Sequence, residues 1–248
     1  STTQEKINTI SIRQVTFGYS PLDAPIIKNI SLELGPGKRV ALVGTTGSGK
    51  STVAKLICRF FTPWSGQITF GTRPQDEILP SVLAESLAFV DQDIFLFEGT
   101  VSDNLTLWDA TITEEQQQKA LEDACLSDVI AQRGGLDSWV AEGGINFSGG
   151  ECQRFEIARA LTTNPSILIF DEAAASLDPI LEQMIYLNIK QRNCAMLIVA
   201  HRLSAIRDCD EILVLDKGMI VQRGSHVRLM NTQGSYQKLV AWELHPDG

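Results

Sequence analysis

Residues 44–51 read Gly-Thr-Thr-Gly-Ser-Gly-Lys-Ser and fit the pattern G-x-x-x-x-G-K-[ST] at every fixed position. Glycines let successive backbone N–H groups turn toward one point without a Cβ clash. A helix that starts at the end of such a loop adds its positive end to the same point. The chemistry that needs this arrangement is polyphosphate binding. Lys50 is expected to reach the β- and γ-phosphates and Ser51 to ligate Mg²⁺. Gly44, Thr45, Thr46, Gly47, Ser48, Gly49 and Thr52 complete the cradle.

Two further groups carry matching chemistry. Residues 167–172 read Ile-Leu-Ile-Phe-Asp-Glu, an apolar strand with two carboxylates at its C-terminal tip. That edge is where α/β sheets bind ligands. Asp171 is expected to hold the Mg²⁺ shell through water, and Glu172 to orient or deprotonate an attacking water. Residues 147–151 read Phe-Ser-Gly-Gly-Glu. Ser148 as a helix cap, with Gly149, Gly150 and Glu151 behind it, forms a second phosphate-binding turn. One γ-phosphate does not need two such loops from one chain, so the second points to a nucleotide on another copy.

Three single residues stand at comparable places. His201 follows the apolar run 195–200 and Gln92 follows 87–90, both at strand tips. An imidazole there would report a γ-phosphate, and an amide oxygen would ligate Mg²⁺ or touch the attacking water. Tyr19, after Phe17-Gly18, would stack on an aromatic base. Taken singly, each has a bland alternative: a structural histidine, a loop glutamine, a half-buried turn tyrosine.

Strands and helices must position these groups. Residues 9–17 alternate apolar and polar with one slip in the period, and residues 30–34 alternate cleanly. Residues 39–43 form a short apolar strand entering the glycine loop. Val53, Leu56, Ile57 and Phe60 place a helix over 51–61, with Pro63 as its stop. The stretch 99–164 reads as mostly helical. Thr113 to Gln116 starts one helix; residues 148–163 form another, capped by Ser148 and stopped by Asn164-Pro165. A strand at 167–170, a helix at 179–191 and a strand at 195–200 follow. Residues 207–224 read as a strand pair turning at Lys217-Gly218, and a last helix runs near 235–243. Alternating strands and helices imply a parallel α/β core, with the helical stretch inserted into it.

Composition narrows the class. A length of 248 residues suits one or two domains, and the formal charge of −9 argues against a nucleic-acid partner. The five cysteines are odd in number and without C-x-x-C spacing, which suits packing thiols in a reducing compartment. No apolar run has the length of a membrane span, and the first residues lack signal-peptide character. Taken alone, the chain reads as soluble and cytoplasmic.

Together these groups resemble the nucleotide-binding domain of ATP-binding cassette (ABC) transporters, from about residue 10 to residue 242. Residues 44–51 match Walker A, Gln92 the Q-loop, 148–151 the signature, 167–172 Walker B, 175–178 (Ala-Ser-Leu-Asp) the D-loop, His201 the H-loop and Tyr19 the aromatic A-loop. The resemblance implies a P-loop NTPase (RecA-like) core with a mostly parallel sheet, an N-terminal antiparallel β subdomain and an inserted α-helical subdomain. It implies one domain over 1–248, with 1–98 and 164–248 as core and 99–163 as the helical part carrying the signature. It also implies ATP and Mg²⁺ as ligands, with Glu172, His201, Lys50 and Gln92 catalytic and Ser51, Gln92 and Asp171 at the metal.

Finer features resemble the exporter branch. Residues 93–100 (Asp-Ile-Phe-Leu-Phe-Glu-Gly-Thr) and Glu142-Gly143-Gly144 are similar to exporter segments, and 104–109 are most similar to bacterial exporters of bacteriocins and other ribosomal peptides. The implied mechanism pairs two cassettes head to tail, a homodimer expected. Each ATP lies between Walker A of one and the signature of the other, on the cytoplasmic face of a membrane and joined to transmembrane domains. Two positions depart from the family pattern: Glu151 stands where glutamine is usual, and Ala175 where serine is usual. The first adds negative charge near a triphosphate, which is expected to weaken closure. A soluble cassette ATPase without a transporter, and a regulatory cassette with weak hydrolysis, are the alternatives.

Overall fold

The computed structural model describes residues 6–174, 177–200 and 202–244, the side chains of 243 and 244 excepted. The chain begins with β1 (Ile10–Phe17), β2 (Ile27–Leu34) and β3 (Arg39–Gly44), then α1 (Lys50–Ile57), β4 (Ser65–Phe70), β5 (Arg73–Pro74), α2 (Pro80–Ser86) and β6 (Leu87–Val90). The stretch that follows holds β7 (Gly99–Thr100), α3 (Val101–Thr106), α4 (Glu114–Asp123), α5 (Ser127–Arg133), β8 (Trp139–Val140) and α6 (Gly149–Thr162). The chain then returns through β9 (Ile167–Asp171), α7 (Pro179–Gln191), β10 (Ala195–Val199), α8 (Leu203–Ile206), β11 (Glu211–Asp216) and β12 (Met219–Gly224). Helices α9 (His226–Met230) and α10 (Ser235–Leu244) follow.

The central sheet has the order β12-β11-β3-β10-β9-β6. It is parallel throughout except for β12, which runs antiparallel to β11. Its inner strands β3, β9 and β10 are buried on both faces, and alternation divides their side chains between two cores. Ala41 and Val43 of β3, Leu168 and Phe170 of β9, and Met196 and Ile198 of β10 join a cluster shared with α4, α6 and α7. Val40, Leu42, Ile167, Ile169, Leu197 and Val199 face the other way, onto α1 and the second sheet. Each fully buried aliphatic side chain of this kind contributes about 1.5–3 kcal/mol. The inserted helices therefore pack on the central sheet and share its core.

The second sheet is antiparallel, in the order β2-β1-β4-β5. The slip in the 9–17 alternation is a bulge: the β1–β2 register shifts between Ile12 and Val15, where Gln14 takes a φ of 51°. The Ser31 hydroxyl accepts the Gln14 N–H at 2.9 Å. Opposite the bulge, a Cβ at Gly66 would lie 2.4 Å from the Gln14 carbonyl oxygen, so only glycine fits.

Local capping matches the sequence. Thr113 and Gln116 form a reciprocal capping box at the start of α4, and Ser148 and Glu151 form another at the start of α6. Two expectations need correction. Helix α1 ends at Ile57, not near Phe61, because Arg59 turns left-handed at φ 62° and the chain leaves the helix early. The 99–164 stretch also contains a short antiparallel pair, β7 with β8, that helical periodicity did not announce. The five cysteines are free thiols. Burial pushes Cys58 and Cys209 up to about 12 and Cys194 to about 11, so they behave as packing groups.

Candidate nucleotide site

Strand β3 is buried along its whole length and ends at Gly44, where the chain turns into the loop. A Cβ on Gly44 would lie 2.2 Å from the Leu215 carbonyl oxygen, so neighbouring β11 demands glycine here. Gly49 caps α1 at φ 104°, a left-handed value that favours glycine. Helix α1 thus points its N-terminus into the loop.

Lys50 is only 5% exposed and lies folded inward. Its ammonium donates to the carbonyls of Gly44 at 3.0 Å and Thr45 at 3.2 Å. Burial lowers its pKa, against the pull of Glu172 and Asp171, which raise it. The backbone carbonyls hold the charge where phosphate oxygens would otherwise take it. Ser51 donates its hydroxyl to Asp171 Oδ1 at 2.8 Å. Two hard oxygen atoms 120 residues apart in the sequence are thereby brought together, of the kind that Mg²⁺ prefers. Burial pushes the Asp171 carboxyl up, and the Ser51 hydrogen bond opposes it.

Glu172 follows Asp171 in a left-handed turn, φ 56°, with its N–H donated to the Val199 carbonyl at 3.0 Å. A non-glycine residue held there is strained, and such strain gathers at functional sites. A cavity of about 290 Å³ brings Glu172 together with Thr46, Gly47, Gly49, Lys50, Ser51 and Thr52 of the loop, and with Tyr19. Tyr19 is exposed, and its hydroxyl pairs with Thr52 Oγ1 at 3.1 Å. Its ring stands edge-on to Phe17 and Phe61 at 5.3 and 5.1 Å. The cavity wall thus carries an aromatic ring, Lys50, the hydroxyls of Thr46, Ser51 and Thr52, and the Glu172 carboxylate, with Asp171 bonded to Ser51 beside it.

Other expected residues are placed differently. Gln92 is exposed at the tip of β6, with its backbone N–H donated to Asp91 Oδ1 at 2.7 Å. Ser148, Gly149, Gly150 and Glu151 do not line the cavity. Ser148 and Gly149 lie exposed at the start of α6, and a Cβ on Gly149 would meet nothing within 4 Å. Glu151 is drawn inward: it accepts the Ser148 N–H at 2.8 Å and pairs with Arg133 at 3.2 Å. These contacts, led by the Ser148 backbone bond, lower its pKa. Its charge is therefore paired within its own chain. Ala175, Ser176 and His201 lie outside the described residues.

Sequence reasoning missed the inward seat of Lys50 and the Tyr19–Thr52 pair, for which no sequence signal exists. It also missed a cavity of about 860 Å³ that shares Gly44, Thr45, Thr46 and Glu172 with the loop and is walled by α10.

A family model described as "ABC transporter" matches residues 27–175. The chain belongs to the ABC transporter family. Within this family it is similar, 42% identical over 93% of its length, to a lactococcin-G-processing and transport ATP-binding protein, LagD, of Lactococcus lactis, of which it covers 33%. It is 42% identical to an ATP-dependent lipid A-core flippase of Aliivibrio fischeri, over 93% of the chain and 40% of that protein. Among solved structures, a bacterial Atm1-family ABC exporter with ATP bound superposes with a TM-score of 0.90 at 37% identity, over 97% of this chain and 42% of the other. The chain thus spans a third to two fifths of the length of these ABC relatives. It is an ATP-binding domain of the family, with the P-loop NTPase fold.

Proposed function

We propose that this chain is the ATP-hydrolysing domain of an exporter, and that two copies pair head to tail around MgATP. The observation that carries the reading is the single cavity uniting Lys50, Ser51 and Glu172 with Tyr19, next to the Ser51–Asp171 pair. Tyr19 holds the base, and the loop N–H groups hold the phosphates. Lys50 exchanges the Gly44 and Thr45 carbonyls for phosphate oxygens. Ser51, Asp171 and Gln92 would hold Mg²⁺, which when bound would offset the negative charge of the phosphates. Glu172 takes the proton of the attacking water, with His201 at the γ-phosphate. Ser148, Gly149, Gly150 and Glu151 of the second copy close the site from outside.

Exposed rings support a transmembrane partner. Phe95, Phe97 and Trp108 form an edge-to-face chain, with centroids 5.1 and 5.8 Å apart, on the surface of the segment after Gln92. Exposed aromatic clusters of this sort mark protein contacts. Among the described residues no helix is long and apolar enough to cross a membrane, so the membrane part is expected elsewhere in the protein or complex. The place of work is then the cytoplasmic face of the membrane. LagD is named for lactococcin-G processing and transport, which favours a peptide cargo. The acidic charge argues against a nucleic-acid partner.

Phosphate release under saturating MgATP tests the reading. Turnover well above a Lys50→Ala control is expected; turnover equal to that control would make the chain a binding or regulatory cassette. The full-length gene tests the exporter: absence of spanning helices there and in adjacent genes would leave a soluble ATPase.

A further inference from the structure

Glu182 is 2% exposed, in the first turn of α7. A carboxylate is costly at a core-facing helix position unless hydrogen-bonded. The Ser204 hydroxyl, from α8, donates to Glu182 Oε2 at 2.9 Å. The Tyr186 phenol bonds the same carboxylate, and its ring stands edge-on to Phe170 of β9 at 5.6 Å. Beside this group is a cavity of about 40 Å³ lined by Glu182, Tyr186, Ala200, Arg202 and Glu172 itself. Ala173, Ala174 and Val199 complete its mostly apolar wall, so Glu182 and Glu172 face one small shared space.

In chain order α7 follows β9 and Glu172, and α8 follows β10. The Glu182–Ser204 bond ties these two helices together. Arg202 makes a second tie in the same direction, donating to the Leu177 carbonyl at 2.6 Å. None of these residues lines the nucleotide cavity.

We propose that Glu182 is a positioning residue for ATP hydrolysis: its bond to Ser204 fixes α7 against α8 beside the cavity that Glu182 shares with Glu172, and so holds Glu172 in place. This rests on the reading of Glu172 as the base. Misplacement of a catalytic group by about 1 Å is enough to cost about 100-fold in rate.

The test uses Glu182→Leu, which fills the volume without an acceptor, Glu182→Gln, which keeps an acceptor for Ser204, and Ser204→Ala. In the purified chain kcat and KM for MgATP, ATP affinity and Tm are measured. Glu182→Leu is expected to lower kcat about 10–100-fold with KM and affinity within about twofold. Glu182→Gln is expected to restore most of kcat. Ser204→Ala is expected to lower kcat alone but to add nothing on top of Glu182→Leu, since the two lose one shared bond. Loss of Tm and of ATP affinity in step with kcat would mark a merely structural role and overturn the inference. So would a kcat within twofold of wild type in Glu182→Leu, or full additivity with Ser204→Ala. Should Glu182→Leu fail to fold, the kcat and KM of Ser204→Ala decide by the same criteria. If wild type turned over no faster than Lys50→Ala, the hydrolysis reading itself would fall. Loss of the positioning role alone requires an active wild type.

Discussion

The glycine loop after β3 and the glycine pair at the start of α6 use the same device, backbone N–H groups at a helix N-terminus, and are built for opposite conditions. The first is enclosed, with Lys50 buried and Gly44 hemmed by β11. Its carboxylate, Asp171, is pushed up by burial. The second is open, with Ser148 and Gly149 exposed. Its carboxylate, Glu151, is lowered by hydrogen bonds and by Arg133. The first loop holds charge at a cost until ligand arrives. The second is electrostatically satisfied within its own chain, which fits the proposal that it meets a nucleotide held by a second copy.

The largest effect expected is at the enclosed loop. Glu172→Gln should lower turnover by about 100–10,000-fold, the range for a lost general base, while ATP affinity stays. Wild-type turnover in that variant would remove Glu172 from its role. Next is Lys50→Ala, which should weaken ATP binding by about 10–100-fold in a direct titration, from the loss of a charge-assisted hydrogen bond. Unchanged affinity would mean the lysine stays on its carbonyls with nucleotide bound.

The open loop should respond differently. Ser148→Ala removes a cap worth about 1 kcal/mol and should leave the ATP affinity of the unpaired chain alone. Turnover should fall, most clearly at low protein concentration. Equal loss of affinity and turnover would merge the two loops into one site and break the contrast.

Smaller effects test the electrostatics. Asp171→Asn removes a charge that burial disfavours, so the ligand-free chain should gain about 1 kcal/mol, or about 2–4 °C in Tm, while its affinity for Mg²⁺ falls. A fall in Tm would show that the Ser51 bond outweighs burial. The pH dependence has opposite signs at the two places. The lowered pKa of Glu151 contributes stability above the ordinary carboxylate value that is lost as pH falls through its folded value. The raised pKa of Asp171 costs stability above that ordinary value, and acidification relieves the cost. Glu151→Gln should therefore flatten the acid limb of a stability profile slightly, and Asp171→Asn should steepen it. The reverse pair of outcomes would invert the assignment.

Most of the chemistry was legible in the residues. The phosphate loop, the acid pair after β9 and the Ser148 cap are local patterns, fixed by spacing and by the needs of one turn or one strand. The bulge in β1 was visible as a slipped alternation, and both capping boxes as Ser/Thr with Glu/Gln three residues on. The early end of α1 was not legible, because a left-handed Arg59 leaves no mark on helical periodicity.

By itself the sequence determined which groups the protein owns and which short elements carry them, since backbone sterics and period act over a few residues. Only the tertiary structure decided which groups share an environment. It set Ser51 on Asp171 and Lys50 on the loop carbonyls, and put Glu182 beside Ser204. It also raised the Asp171 carboxyl by burying it, because desolvation depends on what surrounds a charge and not on its neighbours in the chain.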